Sequence, residues 1–155
     1  MANIKRIPLS IILFILAALK ISHAIEYTVT NKVENTPGGI RFNNEIGVDY
    51  TKLIMDLSTN FVWETFQQNS PAEKKTIEKV SVFIETTDGV GYTINDEIHV
   101  SATYIQGYSD NVKTEITGVL YHMMTHVWQW NRNEQANGGL IEGIADYVRL
   151  KAGYA

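Results

Sequence analysis

The feature that most constrains this chain is a pair of histidines, His122 and His126, placed four residues apart in an apolar segment. In an α-helix this spacing puts both imidazoles on one face, close enough to share a metal ion. A catalytic zinc site takes three protein ligands and keeps a fourth position open, so a third ligand must come from another element. Glu142 follows a loop rich in Asn and Gly, and we predict that it is this third ligand.

A last helix is predicted to begin near Leu140, and its polar residues support the same site. Glu142 and Asp146 are one helical turn apart and share a face that can be turned towards the histidines. Asp146 then suits a supporting role, in which its carboxylate accepts the free N–H of a ligating imidazole. The apolar stripe on the other face of this helix consists of Ile141, Ile144, Ala145 and Val148.

The residue after the first histidine is Met123. In the zinc-protease motif H-E-x-x-H this position carries the glutamate that acts as general base. A thioether cannot accept a proton at any useful pH, whereas a partly desolvated glutamate can. Met123 also lies near the centre of the apolar side of its helix, where a methionine packs comfortably. The sequence therefore predicts a zinc site that has lost its base, and weak or absent peptidase activity.

Structural interpretations compete with this site. A pair of histidines at this spacing also arises by chance, and Glu142 and Asp146 could form ion pairs with Arg149 on an ordinary solvated helix face. A protein without a metal therefore stays open as an alternative. Trp128, Trp130 and Tyr147 could line a cleft, but aromatic residues at helical spacing more often belong to the core. His99 is interpreted as a structural residue of a strand.

Residues 1–24 have the organisation of a secretory signal peptide. Lys5 and Arg6 form a basic start, and an apolar run extends over residues 9–19. Ser22-His23-Ala24 then places small residues at the two positions that signal peptidase recognises. The run is too short to span the ~30 Å of hydrocarbon in a bilayer. We therefore expect cleavage after Ala24 and a secreted, extracellular protein, apoplastic in a plant, without membrane attachment.

Removal of this leader changes the charge balance. The leader holds three of the 13 basic residues and no acid, which leaves ten bases against 17 acids and a net charge of about −7. This balance argues against nucleic acid as a partner, because nucleic-acid binding favours a concentrated basic surface. The chain has no cysteine, so no disulfide framework is available. A peptide or protein is the expected substrate or ligand.

Periodicity along the chain predicts a single mixed α/β (α+β) domain in which a mixed sheet packs against helices. The predicted long helix has an apolar stripe formed by Tyr50, Leu53, Ile54, Leu57 and Phe61, and the metal-site helix has one formed by Val112, Ile116, Val119, Leu120, Val127 and Trp130. The predicted elements are strands over residues 27–31, 79–85, 90–94 and 97–102, a turn over 35–39, helices over 45–68, 109–130 and 140–155, and a helical turn at 70–73.

Several segments resemble the plant basic secretory protein family, whose members are zincin-like metallopeptidases of plants and bacteria. The resembling segments are YTVTN at 27–31, PGG at 37–39, EIHVS at 97–101, GVLYH at 118–122 and GGLIEGIADYVRLKAGYA at 138–155. The family motif His-Glu-Met-Thr-His implies that His122 and His126 are metal ligands and that Met123 replaces the catalytic glutamate. The Glu-Gly-x-Ala segment implies Glu142 as third zinc ligand, with Asp146 as the alternative ligand.

The resemblance covers residues 25–155, with three departures. The base is missing, the mature chain is acidic, and family members continue past the position of Ala155, so we expect a zincin-like domain that is incomplete at its C-terminus. The leading hypothesis is a secreted protein with a zinc-site scaffold, impaired as an enzyme and associated with plant defence. One alternative is an active zinc endopeptidase that uses another base, such as Glu134, or a metal-held hydroxide alone. The other is a metal-free extracellular defence or interaction protein.

Overall fold

Four strands and five α-helices build the described part of the chain, which is residues 25–130 and 135–155 of the computed structural model. In chain order the elements are β1 (Glu26–Asn31), α1 (Pro37–Glu45), α2 (Val48–Thr65), a 3₁₀ turn (Pro71–Glu73), β2 (Lys79–Glu85), β3 (Gly91–Ile94), β4 (Glu97–Ser101), α3 (Ala102–Gly107), α4 (Val112–Trp128) and α5 (Gly138–Lys151). The predicted leader lies outside the described residues. Among the helices described, none has the length and apolar character that crossing a membrane requires.

The strands form one mixed sheet in the order β1-β2-β4-β3. β1, β2 and β4 run parallel, and β3 runs antiparallel to β4, with Tyr92 opposite His99. Within the described residues β3 pairs on one side only, so it is an edge strand. Buried aliphatic side chains on one face of β2 and β4 join the helices in the core: Val80, Val82, Ile84, Ile98 and Val100. The predicted mixed sheet packed against helices is confirmed.

The metal-site helix α4 runs through the core. Its predicted apolar stripe is buried from Val112 to Val127, and Met123 is buried beside it. The helix begins after Asn111, whose side-chain oxygen accepts a hydrogen bond from Thr114 N, rather than after Ser109 or Asp110. It ends at Trp128, close to the predicted end near Trp130. Trp130 was wrongly predicted as part of the core stripe, because it is 64% exposed.

The predicted long helix over residues 45–68 corresponds to α2, Val48–Thr65, whereas α1 before it was not predicted. Gly47 adopts a φ of +81°, a conformation that glycine adopts without strain, and it separates α1 from α2. The predicted stripe of α2 was partly wrong, because Leu53 and Leu57 are 52% and 46% exposed. α2 instead buries small polar residues such as Thr59, whose hydroxyl accepts hydrogen bonds from Tyr27 of β1 and Trp128 of α4. These bonds satisfy polar groups that would otherwise be costly to bury.

The packing of α5 on α4 determines where the third predicted ligand lies. Gly118 leaves room for this contact, since a Cβ there would lie 2.8 Å from Tyr154 Cβ and 3.0 Å from Arg149 Nε. Arg149 Nη2 donates to Glu115 Oε2 across the two helices at 2.9 Å, and the Tyr104 hydroxyl donates to the same carboxylate. Burial and this acceptor raise the pKa of Tyr104 to about 12, which keeps its hydroxyl a donor.

Candidate metal centre

Three side chains on α4 and α5 bring their ligand atoms together at one point. His122 and His126 are one turn apart on α4, and their Nε2 atoms lie 3.0 Å from each other. Glu142 reaches them from the first half of α5, with Oε2 3.2 Å from His122 Nε2 and 3.5 Å from His126 Nε2. The imidazoles are mostly covered, with 16% and 15% of their side chains exposed, whereas Glu142 is open to solvent. The predicted ligand set is therefore assembled in space.

These separations fit the face of a zinc tetrahedron. Ligands bound 2.0–2.1 Å from a tetrahedral zinc ion lie about 3.3 Å from one another. The three observed distances of 3.0, 3.2 and 3.5 Å bracket that value. Two imidazoles and one carboxylate are also a donor set that suits zinc. Both the geometry and the chemistry of the three side chains thus accommodate the ion.

Asp146 lies behind the first histidine. Its Oδ1 is 2.9 Å from His122 Nδ1, on the side of the ring away from the other two ligand atoms. A carboxylate accepts but does not donate, so this contact places the imidazole proton on Nδ1 and leaves the Nε2 lone pair facing Glu142 and His126. Asp146 Oδ1 therefore faces His122 rather than the three assembled ligand atoms.

Burial and the neighbouring charges influence the protonation of His126. Burial lowers its pKa, and the nearby His122 lowers it further, while Glu142 and Asp146 act in the opposite direction. The neutral imidazole is the form that binds metals. The local environment of His126 therefore favours the form that a metal site needs.

Met123 faces the cleft beside these ligands. The Thr93 hydroxyl of edge strand β3 lies 3.3 Å from Met123 Sδ and 3.4 Å from the Met123 backbone oxygen. The side chain is 7% exposed, in agreement with the predicted partly desolvated position. The group that contacts β3 next to the histidines is thus a thioether, which is a weak acceptor and no base.

A cleft of about 670 Å³ opens over the site. One wall is edge strand β3 with the turn that follows it, and the other consists of α4 and the start of α5. Lys75 closes one part of the rim, and its Nζ donates to the Val127 carbonyl at 2.8 Å. Burial lowers the pKa of Lys75, while the nearby Asp96 opposes this shift. The cleft therefore combines strand backbone, ligand side chains and one amine.

Other residues considered from the sequence lie away from the ligands or outside the description. Trp128 is fully buried and packs edge-on against Trp63, so it belongs to the core, whereas Trp130 and Tyr147 are exposed and not core. His99 is buried in the sheet, stacked on Tyr92, with Nδ1 2.7 Å from Glu85 Oε1. Glu134, the suggested alternative base, lies outside the described residues.

Two residues at the site were missed from the sequence. Nothing in the sequence identified Thr93 as a site residue, because the alternation of a strand does not show that β3 borders the cleft. Gln129 lies with Nε2 2.7 Å from His126 Nδ1. Its position three residues after His126 places it on the same helical face, which is the one signal that could have identified it.

Comparison with known proteins identifies a family for the chain. The model of a family named BSP, described as "Peptidase of plants and bacteria", matches residues 22–155. No curated protein and no solved structure matches the chain.

Proposed function

Because the chain belongs to the BSP family of peptidases of plants and bacteria, we propose that it keeps the family's metal site but has weak or no peptidase activity. The ion is zinc, held by His122, His126 and Glu142 in a zincin-like arrangement. The observation that carries the proposal is the triangle of three ligand atoms, 3.0–3.5 Å apart, beside a methionine where the motif requires a base.

The surrounding side chains support metal binding. When bound, zinc supplies a Lewis acid that polarises a carbonyl oxygen and makes a bound water more acidic. Asp146 holds His122 in the tautomer that presents Nε2 to the site, and burial keeps His126 neutral. The exposed Glu142 completes the set and leaves one side open to the cleft.

Loss of the base explains the proposed impairment. Hydrolysis of a peptide bond requires that a proton be taken from the attacking water and delivered to the leaving amine. A carboxylate at position 123 would do both, but the Met123 thioether does neither. The side chain instead packs against Thr93 on the cleft wall.

The expected ligand is an extended peptide or a protein segment. Edge strand β3 borders the cleft, and an extended chain can add to such an edge through main-chain hydrogen bonds. A segment that pairs with β3 would pass in front of the histidines. Binding without cleavage is therefore the activity that we propose for the wild type.

Metal analysis tests the ligand set. Elemental analysis of purified wild type should give close to one zinc per chain, and the double variant His122→Ala/His126→Ala should lose it. Glu142→Gln should weaken binding, whereas the matched variant Glu64→Gln on the exposed face of α2 should not. Equal metal content in the wild type and the double variant would favour the alternative of a metal-free extracellular interaction protein.

Peptide hydrolysis separates the proposal from an active endopeptidase. Unstructured peptides should be cleaved slowly or not at all by zinc-loaded wild type. Rapid cleavage that disappears in His122→Ala and on chelation would show that another group acts as base, and the impaired-enzyme proposal would be wrong.

Export is a separate part of the proposal. It rests on the tripartite pattern of residues 1–24, and the extracellular, defence-associated setting rests on the resemblance to the family. Mass spectrometry of the protein from the medium of secreting cells should find Ile25 at the N-terminus. A product retained on membranes with Met1 intact would contradict it.

A further inference from the structure

Gln129 connects the two halves of the metal centre. It follows the last turn of α4, where its backbone N–H donates to the Thr125 carbonyl, and its side chain is 4% exposed. Its Nε2 lies 2.7 Å from Nδ1 of His126 and 3.3 Å from the carbonyl oxygen of Ile141. Ile141 directly precedes Glu142 in α5. One amide thus contacts a proposed ligand and the backbone beside another.

We propose that Gln129 is a positioning residue that fixes the orientation and the tautomer of the His126 ring for metal binding. This inference rests on the proposed zinc site. Gln129 does for the second histidine what Asp146 does for the first, because each contacts the Nδ1 atom of its ring. Unlike a carboxylate, an amide can either donate or accept, depending on which end faces the ring.

The contacts of Gln129 hold the His126 ring from the side opposite the ligand atoms. The Gln129 amide lies within hydrogen-bond distance of His126 Nδ1, while His126 Nε2 faces His122 Nε2 at 3.0 Å. An amide offers both a donor and an acceptor, so it can bond Nδ1 in either neutral tautomer of the ring. The Gln129 side chain also lies 3.3 Å from the Ile141 carbonyl oxygen, which ties the end of α4 to the start of α5.

Metal binding selects one of these tautomers. His126 can bind an ion through Nε2 only if its ring proton is on Nδ1. The Gln129 amide oxygen is the acceptor that this N–H requires. Among the residues that the structure describes, the buried Oε1 atom of Gln129 has no hydrogen-bond partner, so it is available to the ring.

Two substitutions separate this role from simple packing. Gln129→Met keeps the length of the side chain but cannot hydrogen bond to the ring. Loss of such a partner typically lowers metal affinity about 10- to 100-fold, and we expect a zinc Kd raised by that factor. Gln129→Glu can only accept, which matches the metal-loaded tautomer, so it should keep most of the wild-type affinity.

A packing role predicts the opposite order. Gln129→Glu would bury a carboxylate and lose the donor to Ile141, whereas Gln129→Met would fill the same space with apolar atoms. Zinc Kd values measured by competition with a fluorescent chelator on the full chain distinguish the two. Gln106→Met, on the exposed side of α3, is the matched control and should not change the Kd.

Imidazole NMR tests the tautomer independently of affinity. Two-bond ¹⁵N–¹H correlations should place the His126 proton of zinc-loaded wild type on Nδ1, and this proton should exchange faster with water in Gln129→Met. An Nδ1 proton that exchanges equally slowly in both proteins, or a Gln129→Met Kd equal to that of wild type, would overturn the role of Gln129. Absence of zinc binding in wild type would instead refute the proposed metal site.

Discussion

Asp146 Oδ1 and His122 Nδ1 lie 2.9 Å apart, while Glu142, one helical turn earlier on α5, faces the opposite nitrogen of the same ring at 3.2 Å. Two acidic residues of one helix thus hold both ring nitrogens of one histidine. The arrangement determines the His122 tautomer and orients its lone pair into the site. It also ties the first half of α5 to the middle of α4.

Replacement of Asp146 should weaken zinc binding without unfolding the protein. Asp146→Ala removes the acceptor of the His122 N–H, and loss of such a partner typically costs about 10- to 100-fold in metal affinity. The side chain is 71% exposed, so its removal buries no unsatisfied group and stability should change little. Chelator competition gives the Kd, with Glu64→Ala on the exposed face of α2 as control. An unchanged Kd would show that His122 is oriented by other contacts.

Two glycines test whether the α4–α5 packing positions the third ligand. Gly118→Ala would place a Cβ 2.8 Å from Tyr154 Cβ and 3.0 Å from Arg149 Nε, and overpacking of this kind costs about 1–3 kcal/mol. We expect a lower free energy of unfolding in urea and weaker zinc binding, because Glu142 shifts with α5. Gly143→Ala is the matched control, since its Cβ meets nothing within 4 Å among the described residues.

For the control Gly143→Ala, the expected change in the free energy of unfolding has the opposite sign. Alanine in a helix is about 0.5–1 kcal/mol more favourable than glycine, so Gly143→Ala should be neutral or stabilising. If Gly118→Ala were equally harmless to stability and zinc affinity, the close approach of α5 would not be what positions Glu142.

The site was more predictable than the first half of the fold. The pairs His122/His126 and Glu142/Asp146 follow from helical spacing, because residues four positions apart lie on the same face of a helix. Helical spacing does not show which element the face with Glu142 and Asp146 contacts, and the family resemblance supplied that part of the prediction. Gln129 lies three residues after His126, but it follows the end of α4, so helical spacing alone does not show that its amide faces the ring.

Helix α1 shows why other elements could not be predicted. Gly38 and Gly39 indicate a turn, yet they lie in the first turn of a helix that the Thr36 hydroxyl caps by accepting from Gly39 N. A Cβ on Gly38 would lie 1.9 Å from the Ala102 carbonyl oxygen, and one on Gly39 2.0 Å from that of Val33. The glycines therefore serve close backbone contacts between distant segments, and local propensity cannot reveal such a requirement.

Glu85 should make stability depend on pH in the acid range. The hydrogen bond from Lys32, aided by His99, lowers its pKa below the ordinary value of 4.5, against the effect of burial, and the Tyr92 hydroxyl also faces it. A carboxyl whose folded pKa is lowered stabilises the fold above its unfolded pKa and loses this contribution as pH falls through the folded value. Glu85→Gln should therefore be less stable than wild type at pH 7.

This difference should shrink as the pH falls below 4.5 and the wild-type carboxyl takes up its proton. Urea unfolding at pH 7 and pH 3 measures it, and Glu64→Gln, on the exposed face of α2, should show little difference at either pH. A Glu85→Gln deficit that is as large at pH 3 as at pH 7 would assign the effect to packing rather than to charge.

Restoration of a carboxylate at position 123 tests the functional proposal most directly. The Met123 side chain is nearly buried beside His122 and Thr93, so a glutamate there would be partly desolvated and its pKa raised towards that of a useful base. General acid–base catalysis contributes about 10²–10⁴-fold, or about 3–5 kcal/mol of transition-state stabilisation. Met123→Glu should therefore raise kcat on unstructured peptides by this factor and leave the zinc content unchanged.

The control is Met123→Gln, whose side chain has the same shape as glutamate but cannot act as a base, and it should stay as slow as wild type. If wild type already cleaves these peptides as fast as Met123→Glu, another group acts as base and the chain is an active peptidase.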